Sequence, residues 1–306
     1  QSGLKNTRHV ILYLPFNFIA YGLTLLRTLH CEKRNRSKGE QNMFSAPIGM
    51  FDSGVGGLSV MKEVRALLPA EDIVYYADTA YCPYGQKTAR EIQARCFHIS
   101  DFLLAKGAKM IIVACNTASI AALDAMRQKY KVPIVGMEPA VKPASRLSKS
   151  GKIGVMATGV TIAGERFSSL IERFGTGVEV FNQPCPGLVE HVEAGRVEGP
   201  EVEALLRKYL TPMLEFGVDA IVLGCTHYPF LRKAVEKIAG LHVTVIDTGA
   251  AVARQAARIL EENGLARSNA ATLGQNIYYS SGEPAAVESI IRRLMEDAAA
   301  TVHHEQ

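Results

Sequence analysis

The sequence predicts an α/β fold of two related lobes, each a mostly parallel sheet flanked by helices. Three observations predict it. From residue 48 onward, apolar runs of strand length alternate with helical stretches, the pattern of parallel sheets covered by helices on both faces. Three segments recur in one order. Ile48-Gly-Met-Phe-Asp52-Ser53-Gly54-Val55 answers to Ile153-Gly-Val-Met-Ala157-Thr158-Gly159-Val160, and the segment over 107–117 to that over 217–227. The third pair is 132–141 with 243–252. Both members of the middle pair place a cysteine, Cys115 and Cys225, at the end of an apolar run. The period is far too long for a solenoid and suits a duplicated lobe.

Each element follows from periodicity and breakers. A strand over 48–52 turns through Ser53-Gly-Val-Gly-Gly into a helix over 58–67, which Pro69 stops. A strand over 73–77 precedes a loop over 78–85. Thr88 caps a helix running to about residue 106, with Gly107 as its end signal. Next come a strand over 110–114, a helix over 118–130, a strand over 133–136 and a linker over 139–150. The second lobe reads as strand 152–157, helix 162–174, strand 178–181, short helix 188–194 and long helix 200–216. Strand 220–224, helix 230–238, strand 243–246 and helix 250–263 follow, and 277–280 and 284–298 close the alternation. The expected lobes are 43–140 with about 250–300, and 141–249. In such sheets ligands sit beyond the carboxyl ends of the strands, where Asp52, Cys115, Ala157 and Cys225 fall.

Composition narrows the class. The 306 residues are 48% hydrophobic and 21% charged, ordinary for a globular chain. The formal charge of +4 belongs to the first 42 residues, where seven basic side chains face two acidic ones; the rest carries −1. The body therefore gives no electrostatic case for nucleic acid. Residues 10–29 are largely apolar but interrupted by Pro15, Asn17, Gly22 and Arg27, and no small-residue cleavage site follows. The chain opens on Gln-Ser-Gly, and Met43 stands just before the first strand. The expectation is that 1–42 is an appended extension rather than a membrane span. Six scattered cysteines with no short C-x-x-C spacing make neither a disulfide framework nor a structural zinc site, so a reduced cytosolic compartment is expected.

The candidate site follows from the strand ends. Cys115 and Cys225 each precede a predicted helix, whose positive end favours thiolate. Their turns, Cys115-Asn116-Thr117 and Cys225-Thr226-His227, hold donors that a merely packed cysteine does not need. Two thiols facing one cleft suit removal of a proton from one face of a carbon and its return to the other. Cys31, Cys82, Cys96 and Cys185 read as packing. Asp52-Ser53 can hold an amino group or assist a thiol; either side chain alone is equally an ordinary helix cap. Gly-Val-Gly-Gly suggests a dinucleotide turn, but G-x-G-x-x-G fails at Ser59. Tyr84-Gly85, Asn116, Thr117 and Thr226 are donors for a carboxylate. His227 is a base partner or a donor, and Glu193 on the short helix is equally an ordinary solvated side chain. The residues alone leave three readings: an acidic amino-acid racemase, a thiol hydrolase on Cys225 and His227, which leaves Cys115 unexplained, and a two-lobed amino-acid-binding protein.

Phe51-Asp-Ser-Gly-Val-Gly-Gly-Leu-Ser59, Pro83-Tyr-Gly85, Val113-Ala-Cys-Asn-Thr-Ala118 and Leu223-Gly-Cys-Thr-His-Tyr-Pro229 occur in that order. Over residues 46–265 the chain resembles the bacterial glutamate racemases of the cofactor-independent aspartate/glutamate racemase superfamily. The resemblance implies pseudo-twofold lobes with the site between them, and interconversion of L- and D-glutamate for peptidoglycan synthesis. Cys115 is implied to deprotonate D-glutamate and Cys225 L-glutamate. Asp52, Glu193 and His227 match auxiliary acid/base positions. Asp52, Ser53, Tyr84, Gly85, Asn116, Thr117, Thr226 and His227 match substrate-binding positions. No cofactor and no metal are implied, and no nucleic acid or membrane is needed by the core; a cytoplasmic homodimer is expected. Aspartate racemases typically carry Glu where this chain has His227, which favours glutamate. Residues 1–42 have no counterpart in compact family members, so activation by a cell-wall nucleotide precursor is not carried over.

Overall fold

The computed structural model describes residues 45–175, 177–267 and 272–305. The predicted extension over 1–42, with Cys31, lies outside them. Among the described residues, ten strands run β1 (Ile48–Asp52), β2 (Ile73–Ala77), β3 (Met110–Val113), β4 (Ile134–Val135), β5 (Lys152–Ala157), β6 (Glu179–Pro184), β7 (Ala220–Leu223), β8 (Thr244–Ile246), β9 (Asn276–Ser280) and β10 (Val302–His304). The helices are α1 (Leu58–Leu67), α2 (Ala89–Ala105), α3 (Asn116–Lys129), α4 (Val141–Leu147), α5 (Gly159–Ala163), α6 (Glu165–Phe174), α7 (Leu188–Glu193), α8 (Pro200–Phe216), α9 (Arg232–Ala239), α10 (Gly249–Glu262) and α11 (Pro284–Met295).

The strands form two wholly parallel sheets. One has the order β10-β9-β2-β1-β3-β4, the other β6-β5-β7-β8. The first four strands thus set an order that the next four repeat, and β9 and β10 extend the first sheet beyond β2. Register repeats too. Ile48 to Phe51 pair with Met110 to Val113, and Ile153 to Met156 with Ala220 to Leu223. The reason is visible in the packing. Gly49 and Gly154 hold matching positions, and a β-carbon there would sit 2.9 Å from Ala108 Cβ or 2.1 Å from Met213 Cε. At each glycine the strand accepts close packing from α2 and the turn after it, or from α8. Both helices have 17 residues, and each is followed by a glycine at positive φ, Gly107 and Gly217. Thr88 and Glu91 close a capping box at the start of α2.

β1, β2, β3 and β7 are buried along their whole length, as strands covered on both faces must be. α10 returns to pack on α1, against the first sheet. Among the described residues, no helix is long and apolar enough to cross a membrane.

Local corrections have physical causes. The linker expected over 139–150 contains α4, whose Val141 and Ala144 are buried against the second sheet. The helix expected over 162–174 divides at Gly164, where a β-carbon would lie 2.4 Å from Ile120 Cγ2, so α3 fits into the break. β10 was not anticipated; three residues at a chain end carry no periodic signal. The helix expected over 118–130 begins earlier, at Asn116, because Cys115 itself caps it.

Candidate active site

The carboxyl ends of β1, β3, β5 and β7 converge on one cavity. It is lined by Ser53, Pro83, Tyr84, Gly85, Cys115, Asn116, Thr117, Thr158, Val189, Cys225, Thr226 and His227. Nine of the eleven residues singled out from sequence are among these; Asp52 and Glu193 stand directly behind the wall, bonded to Ser53 and Thr226 and to His227. The enclosed space is about 10 Å³, one water site. A larger cleft of about 550 Å³ lies against α3 and α6, away from both thiols. Of its two arginines, Arg166 and Arg173, the first is already paired with Asp124 and Glu138.

Cys115 sits after β3 and caps α3, its Sγ accepting the Ala118 N–H at 3.4 Å. The helix terminus lowers the thiol's pKa, as anticipated, but it does not win. Burial pushes the Cys115 thiol well above the ordinary range, and the nearby Asp52 carboxylate adds to the shift. At Cys115 burial thus outweighs the helix terminus, against the direction that the dipole alone favours. Its Sγ lies 3.9 Å from Ser53 Oγ, which donates to Asp52 Oδ1 at 3.4 Å. Asp52 is fully buried, and its Oδ2 accepts the Gly57 N–H at 2.6 Å and the Thr226 hydroxyl at 3.1 Å. Burial raises its carboxyl, while His227 and Cys115 oppose.

Cys225 follows β7. No α-helix begins beside it: a 3-10 turn, Tyr228–Leu231, intervenes before α9. Its charged neighbour is instead His227, whose Nδ1 is 3.6 Å from Cys225 Sγ. His227 Nε2 meets Glu193 Oε1 at 2.5 Å, and the same oxygen accepts the Val55 N–H at 2.7 Å. Burial works against the imidazolium, yet hydrogen bonds with Cys225, Cys82 and Glu193 raise His227 well above its usual value. Glu193 is thus not a solvated helix residue; it binds His227 and the glycine loop.

The glycines of Ser53-Gly-Val-Gly-Gly have a structural task other than nucleotide binding. A β-carbon on Gly54 would lie 2.0 Å from Glu193 Oε1, and one on Gly56 2.3 Å from His227 Nδ1. The loop after β1 is therefore packed backbone-first against the acid/base pair beside β7. Ser59 Oγ adds a bond to Thr226 O at 2.8 Å.

The opposite wall holds polar groups for a ligand. Asn116 is buried, and neither its Oδ1 nor its Nδ2 has a partner. Leaving such groups unpaired costs about 1–3 kcal/mol each, which a polar ligand recovers. Thr117 Oγ1 bonds Thr158 and Thr161 across the sheets at 3.0 and 3.1 Å. Gly85 approaches Thr158 so closely that a β-carbon would lie 2.9 Å from Thr158 Cβ. Tyr84 donates to Asp78 Oδ2, and Arg95 holds both oxygens of Asp78, at 2.8 and 3.0 Å. Thr158 and this Asp78–Arg95 pair were missed from sequence. Thr158 is the repeat partner of Ser53, a signal that was available; the Arg95–Asp78 pairing has none. Cys96 and Cys185 are packed, as expected. Cys82 is only half-buried and lies beside Glu193 and His227.

The sequence profile of the Asp/Glu/Hydantoin racemase family matches residues 48–256. A glutamate racemase of Pseudomonas paraeruginosa is 50% identical over 248 residues, 81% of this chain and 93% of that protein. The crystal structure of a Bacillus anthracis glutamate racemase isoform matches with TM-score 0.77 and 31% identity, covering 85% of this chain and 97% of that one. The Francisella tularensis glutamate racemase in complex with D-glutamate matches with TM-score 0.75 and 31% identity, over 86% and 98%. A shared fold, long alignments at this identity and a family profile spanning both sheets lead to one conclusion: the chain belongs to the Asp/Glu/Hydantoin racemase family of isomerases, among its glutamate racemases.

Proposed function

We propose that the chain interconverts L- and D-glutamate by a two-base mechanism in which Cys225 serves one face of Cα and Cys115 the other. The observation that carries it is that two cysteines, from equivalent strands of two sheets, line one cavity with different acid/base partners. For L-glutamate, Cys225 as thiolate takes the α-proton, and the Cys115 thiol then delivers its own proton to the opposite face. D-glutamate runs the same steps in reverse, so each turnover exchanges the protonation states of the two sulfurs. The α-proton is weakly acidic, so fixed donors must stabilise the carbanion-like state. Asn116, Thr117 and Thr226 supply them to the carboxylates, with Ser53, Tyr84 and Gly85 completing the contacts. Asp52 and His227 assist the sulfurs, and Glu193 orients His227.

A cavity of about 10 Å³ does not admit an amino acid, so binding requires the two sheets to part and close again, which excludes water during proton transfer. The lobes of this motion are 43–140 with about 250–300, and 141–249. Supply of D-glutamate to peptidoglycan, a homodimeric state and a cytoplasmic location belong to the same proposal. The test is polarimetry on D- and L-glutamate and on aspartate without added cofactor, in deuterium oxide. Racemisation of glutamate with solvent deuterium entering Cα supports it. Binding without exchange overturns it in favour of a binding protein, and preference for aspartate overturns the substrate.

A further inference from the structure

Cys82 plays no part in this chemistry, yet it completes a cluster. One donor atom each from Cys82, Glu193 and His227 lies within 4.8 Å of the other two. Thiolate, imidazole and carboxylate are the ligand types of zinc, and three protein ligands with a fourth position left to water make an open site. Two of the three are already held in place. Glu193 Oε1 is fixed by the Val55 N–H at 2.7 Å, and the His227 ring is fixed on its other side by Cys225 at 3.6 Å. Such supporting bonds orient ligands before an ion arrives. Cys82 is half-buried, which gives an ion an approach that the buried Cys115 and Cys225 do not offer.

We propose that Cys82, Glu193 and His227 form a binding site for Zn2+ and that its occupancy inhibits the enzyme. The ion replaces the hydrogen bond between His227 and Glu193. The proton shared by that pair and the proton of the Cys82 thiol are released to solvent as the metal bonds form. No redox change is involved. Zinc then occupies the imidazole and carboxylate that serve Cys225, so proton transfer on that side stops. The binding site stands on ligand geometry alone; the inhibition rests on the proposed role of His227.

The experiment has two arms. The first titrates the full chain with Co2+ as a spectroscopic stand-in for Zn2+. One equivalent is expected to bind with a thiolate-to-cobalt absorption band that Zn2+ abolishes. Cys82→Ser is expected to lose that band and at least about tenfold in affinity, while Glu193→Gln keeps the band and binds more weakly. A band that persists in Cys82→Ser would place the metal on another thiol and overturn the site. The second arm measures glutamate racemisation with Zn2+, each protein relative to its own zinc-free rate. Zinc is expected to inhibit the unaltered chain reversibly, a chelator to restore it, and Cys82→Ser to need at least about tenfold more zinc. Equal sensitivity of both proteins overturns the inhibition. If no racemisation is seen at all, the cobalt arm still decides the site, so the two failures are distinguishable.

Discussion

Cys115 and Cys225 leave equivalent strands in the same register, yet the two sulfurs live in different chemistry. Cys115 caps the 14-residue α3 and leans on Ser53 and a buried carboxyl. Cys225 has a 3-10 turn instead of an α-helix and leans on an imidazole–carboxylate pair. The repeat copies backbone: strand order, register and the glycines that admit α2 and α8. It does not copy the side chains around the sulfurs, since Asp52 corresponds to Ala157 and Asn116 to Thr226. Glutamate has unlike groups around Cα, so a symmetric frame must carry an asymmetric site. The proton inventory is asymmetric too. Burial holds a proton on Cys115, while His227 favours a positive charge 3.6 Å from Cys225. In the proposed mechanism this asymmetry suits L-glutamate, with the Cys115 thiol as proton donor.

The widest break in the comparison comes from removing one sulfur at a time. Cys115→Ala and Cys225→Ala should each lower racemisation in both directions by roughly 10³-fold or more, because inversion needs both faces. Isotope exchange should split them. Cys115→Ala should still exchange the α-proton of L-glutamate without inverting it, and Cys225→Ala that of D-glutamate. Exchange of both enantiomers by either variant, followed by NMR of Cα, would falsify the assignment of faces.

The next effect separates the partners. His227→Gln should cost roughly 10²-fold in kcat, and Asp52→Asn a comparable or smaller factor, with KM moved less in the first. The role of His227 should also show in stability against pH. His227 has a folded value raised above about 6.5, so its protonation contributes stability that is fully present below that pH and lost as pH rises through the raised value. The denaturation midpoint of the unaltered chain should therefore exceed that of His227→Gln most at low pH, and the gap should narrow as pH rises. A gap that stays constant from acid to alkaline pH would mean that His227 acts by packing alone.

How far the sequence reaches also differs between the halves. The repeat could be read because close packing at Gly49 and Gly154 and parallel pairing constrain the same residue types twice. Cys115 and Cys225 could be read because strand ends in such sheets face the ligand. What could not be read depends on contacts distant in sequence. Apart from the family resemblance, Glu193 looks like any helix acid until Val55 N–H and His227 are brought to it, 138 and 34 residues away. The dominance of burial over the helix terminus at Cys115 requires knowing what covers it. α4 is only seven residues, two of them buried, too short to show a period.

The smallest expected effect lies at the hydroxyl contacts between Thr117, Thr158 and Thr161. Thr158 belongs to the Ala157 side of the repeat, where no acid/base group stands, and its hydroxyl bonds Thr117 and Thr161. Thr158→Val keeps the shape and removes the hydroxyl. Of the bonds lost, the one to Thr117 reaches the cavity wall, and losing one neutral hydrogen bond of this kind costs about 1 kcal/mol, about fivefold in an equilibrium. If Thr158 only holds Thr117 in place as a carboxylate donor, that factor should appear in KM for both enantiomers alike, with kcat little changed. A loss confined to one enantiomer would instead place Thr158 among the groups that distinguish the two faces. The asymmetry would then extend beyond the sulfurs to the wall that the repeat left without a charge.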